Sequence, residues 1–258
     1  MSCPVYLINL PRDTRRLAVM QAQLDGLDLP FEIVPAVYGR ELSEAERAAL
    51  YDAKQNRARF HQAMAPGEIG CYASHLQVWQ RLVDSGAPHA LVLEDDAELR
   101  PELPAALRAV AALPPHWDMI KLIGREPESV QQRWSLPCKT GELIRYQRVP
   151  SLTCAYLVSR HGAEKMLRSR QPFFRPIDVD LRHWWEADLR IFGLTPYPVG
   201  LNEEGSTSSI GGREFGAWWS RRWRKGRTQW HYSRSNARAN RVLLAQSDPF
   251  VELRPHTA

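Results

Sequence analysis

Long apolar runs are missing from this 258-residue chain. None approaches the stretch of about 18 residues that a membrane-spanning helix requires, so no segment is expected to cross a bilayer. The first apolar segment, Val5 to Leu10, is short, has no basic region before it and runs straight into Pro11-Arg12-Asp13. It lacks the length and flanks of a secretory signal core. Cysteine is also sparse: Cys3, Cys71, Cys138 and Cys154 lie far apart, with no CxxC pair and no zinc-like spacing. That excludes a disulfide scaffold and a zinc ribbon, and predicts reduced, partly buried thiols in a cytoplasmic protein. Repeats and low-complexity stretches are absent. Acidic residues nearly vanish between Gly212 and Val242, where nine Lys/Arg face the single acid Glu214. That segment carries +8 of a chain whose net charge is +5, so the remainder is at −3.

What is present reads as an α/β protein. VYLINL is a buried strand, followed by a helix capped by Asp13 or Thr14 and running to about Leu24. Phe31 to Val37 is a second strand. Ser43 opens a helix whose Glu46, three positions on, completes a capping box. The order βαβα predicts a mainly parallel sheet with helices packed on it. Gly67 to Val83 is the clearest helix, with Ile69, Tyr72, Leu76, Trp79 and Val83 on one stripe and Glu68, Cys71 and His75 on another. HALVL (89–93) is apolar on both faces and therefore central. Further strands are expected at Asp118–Ile123, Leu143–Val149 and Cys154–Val158, with a helix over Gly162–Leu167. Ile191 to Val199 carries Gly193, Pro196 and Pro198, and is expected to be short or at an edge. We place the body of the fold in residues 1–211 and a basic, Trp-rich tail in 212–258.

The chemistry begins where HALVL ends, in Glu94-Asp95-Asp96. Three adjacent carboxylates repel one another, and their desolvation near a core is costly without a cation. In α/β sheets, ligands bind outside the carboxyl ends of the strands. If the segment is extended, Glu94 and Asp96 share one side and Asp95 takes the other. Such a pair suits Mg²⁺ or Mn²⁺ with coordination sites left for a diphosphate. The plainer alternative is a solvated turn in which Asp95 or Asp96 caps the next helix.

The segments VYLINLPRDTRRL, FEIVPAVYGREL, GEIGCYASHLQVW, ALVLEDDAEL and CAYLVSRHGAEKML, in this order, resemble glycosyltransferase family 25. That group includes bacterial lipooligosaccharide galactosyltransferases and collagen galactosyltransferases. The resemblance covers roughly Val5 to Ile210. It implies a GT-A-type, Rossmann-like fold, a nucleotide-sugar donor (usually UDP-galactose), Mn²⁺ or a similar ion, and inversion at the anomeric carbon. Two departures stand out: Tyr38 replaces the acid usual after the second strand, and the family's C-terminal glutamine has no clear match in Leu201-Asn202-Glu203-Glu204.

Within that frame, Asn9, Arg12 and Arg15 follow the first strand, where a nucleotide would lie and where arginine forks suit phosphate. Arg16 reads equally well as a surface charge. Glu68, Ser74 and His75 are assigned near the donor or behind it, Glu94 and Asp95 to donor binding, and Asp96 with Glu94 to the metal. Inverting transfer needs a base for the acceptor hydroxyl. Asp178 in RPIDVD matches the family's Pro-x-Asp and is the candidate, with Asp180 facing the same way if extended; helix capping is the plainer role. Trp184 and Trp185 can stack on sugars, although packing explains them as well.

The tail interleaves Trp218, Trp219, Trp223 and Trp230 with arginines, which suits an anionic membrane surface. A lipid-linked glycan acceptor would put the protein at the inner face of the membrane. A nucleic-acid role would leave the EDD strand unexplained. The competing reading of another class is a catalytically silent glycan- or lipid-binding protein of the same fold.

Overall fold

The computed structural model describes residues 3–125, 127–136, 141–202 and 218–253, with the backbone alone for 218–224. All five positions of β1 (Val5–Asn9) are buried, the condition of a strand covered on both faces. It lies between β2 (Glu32–Pro35) and β3 (His89–Glu94) and is parallel to both. Beyond β3 the 8-stranded sheet continues through four named strands: β8 (Ala155–Ser159), β5 (Met119–Lys121), β9 (Ile191–Thr195) and β7 (Glu142–Tyr146). It ends at β6 (Val130–Ser135). Pairings to β8 and β7 are antiparallel, so those two strands run against the other six. A small ladder of β4 (Ala97–Leu99) and β10 (Val199–Leu201) stands beside the sheet.

Alternation along the strands builds two cores. Val5, Leu7, Leu91 and Leu93 face α1 (Thr14–Gly26) and α5 (Leu103–Ala111). Tyr6, Ile8, Ala90 and Val92 face α4 (Pro66–Ser85) and α6 (Arg160–Ser169). Helices on both faces of a sheet with mostly one strand direction is the expected GT-A-like, Rossmann-type architecture. Ser43 and Glu46 form the anticipated capping box at the start of α2 (Glu44–Leu50), and α3 (Ala53–Arg59) follows.

β9 is short, one of the two outcomes expected of it, and it is interior, between β5 and β7. Its prolines fall after Thr195, outside the ladder, and Gly193 is needed because a Cβ there would meet the Tyr146 hydroxyl at 1.9 Å. β6, the sheet's outer strand, was not anticipated; its Gln131, Gln132 and Arg133 hide the apolar alternation. Finally, α7 (Ile177–Asp180) is a helical turn, so Asp178 and Asp180 do not face the same way. A 3₁₀ turn, Leu181–Glu186, continues it.

The tail contains α8 (Trp218–Leu244). Its C-terminal half packs on the body: Tyr232, Asn236 and Asn240 are buried, and both asparagines donate to the Gln147 carbonyl at 2.8 and 3.0 Å. Cys138, Glu203, Glu204, Arg213 and Glu214 lie outside the described residues, as do the side chains of Trp218, Trp219 and Trp223. No helix among the described residues is long and apolar enough to cross a membrane.

Candidate active site

Parallel pairing sets Ile8 beside Glu94, so β1 and β3 deliver Asn9 and the three carboxylates to one edge of the sheet. The Ala36–Gly39 loop after β2 reaches the same edge, and antiparallel β8 brings Thr153 and Cys154 to it from the other direction. The three acids then diverge. Glu94 turns toward α4: its Oε1 accepts from Thr153 Oγ1 at 2.8 Å and meets His75 Nε2 at 3.2 Å. Asp95 turns toward α1, where Asn9 Nδ2 donates at 2.7 Å and Arg16 Nη1 at 2.9 Å. Asp96 is left with Oδ1 buried and without a hydrogen-bond partner.

These environments set the charges. Burial pushes the Glu94 carboxyl up, but His75 and Thr153 outweigh it and hold it below the usual range. For Asp95 burial prevails over Arg16 and Asn9, and the carboxyl is raised. Asp96, desolvated and beside both other acids, is pushed up to about 6. A divalent cation would reverse that penalty and give the orphaned oxygen a partner. Glu94 and Asp96 therefore fit a hard ion. Cys71, His75 and Glu94 also bring ligand atoms within 4.8 Å of one another. Both nitrogens of His75 are already engaged, however, and oxygen ligands suit an ion that also holds phosphate.

His75 is fully buried on α4. Its Nδ1 lies 2.8 Å from the Tyr156 hydroxyl, which accepts from Trp79 Nε1 at 3.0 Å. With burial holding Tyr156 far above its ordinary range, the phenol keeps its proton. Nδ1 of His75 faces the Tyr156 hydroxyl and Nε2 faces Glu94 Oε1, so both ring nitrogens are engaged. The relay fixes Glu94 from behind. His75 thus touches the candidate metal ligand Glu94.

Ser74, one residue earlier, clamps a loop. Its hydroxyl donates to the Gly70 carbonyl and accepts from Val37 N–H, both at 2.8 Å. Tyr38, held by that clamp, lies under the Arg12 guanidinium at 4.1 Å. Glu68 accepts from Ala65 N–H at 2.7 Å, capping α4. Arg15 stands exposed on the first turn of α1.

Asp178 and Asp180 part company. The Cys71 thiol is raised first by burial, then by the charges of Glu94, Asp178, Asp96 and Glu68. Asp178 itself is raised, chiefly by desolvation. Asp180 points instead into a buried cluster: Arg170 Nε at 2.9 Å, Arg175, and the Tyr72 hydroxyl at 2.5 Å. That is a structural ion pair.

Sequence reasoning missed Lys121. It is fully buried at the end of β5, donates to the Pro150 carbonyl at 2.7 Å, and is lowered to about 8 by burial against the pull of Asp178. A lysine ending an apolar strand at the ligand edge was the available signal. Arg16, read as equally a surface charge, is the residue that pairs Asp95.

A Rossmann-like sheet with carboxylates gathered at its carboxyl edge defines the class of α/β proteins that hold their ligands outside the carboxyl ends of the strands. The family profile of glycosyltransferase family 25 (LPS biosynthesis protein) matches residues 2–181, and the chain belongs to that family. A glycosyltransferase 25 family member of Anopheles gambiae is 31% identical over 68% of this chain and 30% of its own length. Procollagen galactosyltransferase 1 of Danio rerio is 28% identical over 95% of this chain and 45% of its own. The inactive glycosyltransferase 25 family member 3 of Mus musculus is 28% identical over 74% and 36%. The chain thus spans less than half the length of these relatives.

Proposed function

We propose that the chain is a metal-dependent, inverting glycosyltransferase that moves a hexose, galactose by the family's habit, from a UDP-sugar to a cell-surface glycan acceptor. The observation that carries this reading is the orphaned Asp96 oxygen beside an oriented Glu94 at the nucleotide edge. Glu94 and Asp96 would hold Mn²⁺ or Mg²⁺, which supplies charge neutralisation for the leaving diphosphate. Asn9 and Arg16 hold Asp95 in place beside them. Arg12 stacks on Tyr38 where the nucleoside would lie, so an aromatic face stands in for the missing acid. Asp178, raised by burial and uncommitted to an arginine, takes the proton from the acceptor hydroxyl at its carboxylate. A lipid-linked acceptor, with the exposed face of α8 on the inner surface of the membrane, completes the reading and gives a cytoplasmic location.

Titration with chelator tests the metal. Transfer or donor hydrolysis is expected to stop and to return with Mn²⁺, and UDP with Mn²⁺ should raise the melting temperature of the wild type but not of Asp96→Asn. Full activity in excess chelator would overturn the metal role. Tyr38 favours one alternative, a silent binding protein of the same fold. Failure to release UDP from any UDP-sugar with Mn²⁺ would decide for it.

A further inference from the structure

Between α8 and the body lies a cavity of about 450 Å³ that the reaction above does not use. It falls in the size range of ligand sites. One wall is a single face of α8, where Arg227, His231 and Tyr232 point at the 3₁₀ turn and at α3. The opposite wall carries Arg59, Trp185 and Glu186.

Two features distinguish this space from a packing gap. The Tyr232 ring lies 5.6 Å from that of Trp185, so two aromatic side chains line one cavity. The charge is also unbalanced: Glu186 and Asp180 are shared among Arg59, Arg170 and Arg175, three cations for two carboxylates. Arg227 on α8 adds a fourth.

We propose that this cavity binds an acidic saccharide, a sugar bearing a phosphate or carboxylate, as the recognition end of the acceptor. Sugars combine an apolar C–H face with a rim of hydroxyls. Trp185 takes the face, and the arginines take the anion through forked hydrogen bonds. The 3₁₀ turn follows directly on α7, so the cavity adjoins the segment that carries Asp178. The inference rests on the proposed transfer reaction only for the word acceptor.

Calorimetry on the full chain with galactose, galacturonate and galactose 6-phosphate tests it. Both acidic sugars should bind roughly tenfold or more tightly than galactose, and the tighter of the two identifies the anion. Arg227→Glu should abolish that preference. Trp185→Ala should weaken binding of all three sugars severalfold. Equal binding of neutral and acidic sugars, or unchanged binding by Trp185→Ala, overturns the proposal. The UDP–Mn²⁺ thermal shift should persist in both variants; its absence in the wild type would refute the transfer reaction and leave the cavity result standing.

Discussion

Two aspartates two residues apart, Asp178 and Asp180, sit in different surroundings, and paired substitutions test the chemical role proposed for the first against the structural ion pairing of the second. Asp178→Asn removes a carboxylate that no arginine holds, so the protein should fold normally and bind UDP with Mn²⁺. Its transfer rate should fall roughly 10²–10⁴-fold. Asp180→Asn leaves Arg170 and Arg175 with Glu186 as their one remaining carboxylate among the described residues. We expect a loss of roughly 1–3 kcal/mol in urea unfolding, since a buried charged hydrogen-bond partner is removed while Glu186 still pairs both arginines. If Asp180→Asn keeps its stability and loses activity, the assignments are reversed. The motif Pro-x-Asp-x-Asp was visible in the sequence, but which acid faces the cleft was not. An extended segment puts both on one side and a helical turn parts them, and the four-residue α7 is too short to declare its period.

Elements buried on both faces were legible: VYLIN and HALVLE contain too little polarity to be anything but central strands, and the carboxylates at the second strand's end marked the ligand edge. The polar outer strand β6 was not, because exposure relaxes the alternation that identifies a strand. Equally hidden was the contact between the Ala36–Gly39 loop and the start of α4. A Cβ on Gly39 would lie 1.8 Å from the Pro66 carbonyl oxygen, and one on Gly70 2.3 Å from that of Val37. Gly39→Ala must push α4 away from the loop, at a cost of roughly 1–3 kcal/mol. Because that loop holds Tyr38, the UDP–Mn²⁺ thermal shift should shrink as well; an intact shift would show that Tyr38 is not at the nucleoside. The 3₁₀ turn supplies a pH signature. Burial, reinforced by Arg175 and opposed by the bond to Val179 and the charges of Glu186 and Asp180, lowers His183 to about 4. Its ordinary value is 6.5. Between those values the unfolded chain binds the extra proton, so this contribution is complete above about pH 6.5 and is lost as the pH falls toward 4. At pH 5 the loss is about 2 kcal/mol. Urea midpoints at pH 7 and 5 should therefore differ less in His183→Asn than in the wild type, and an identical difference in both would exclude the histidine as the cause.

Across the whole molecule, charge is segregated by element: the tail segment at +8 rides on a remainder at −3. The helix is also docked on the body, where α8 buries Tyr232, Asn236 and Asn240. Removing the tail would uncover that surface and confuse folding with binding, so the exposed face is the place to test membrane attachment. Arg234, Arg238 and Arg241 are exposed there, and Trp230, 54% exposed, stacks with Arg234 at 4.6 Å. Each cation near an anionic leaflet contributes about 1 kcal/mol. Reversing all three to glutamate should thus weaken binding to phosphatidylserine vesicles by roughly a hundredfold or more. The melting temperature and the UDP–Mn²⁺ shift should stay in place. Salt should release the wild type in the same way, because the interaction is screened over about 10 Å at 0.1 M. If the reversed variant binds vesicles as well as the wild type, the positive face of α8 is not a membrane contact, and the tail's charge is left to hold the helix on its acidic body.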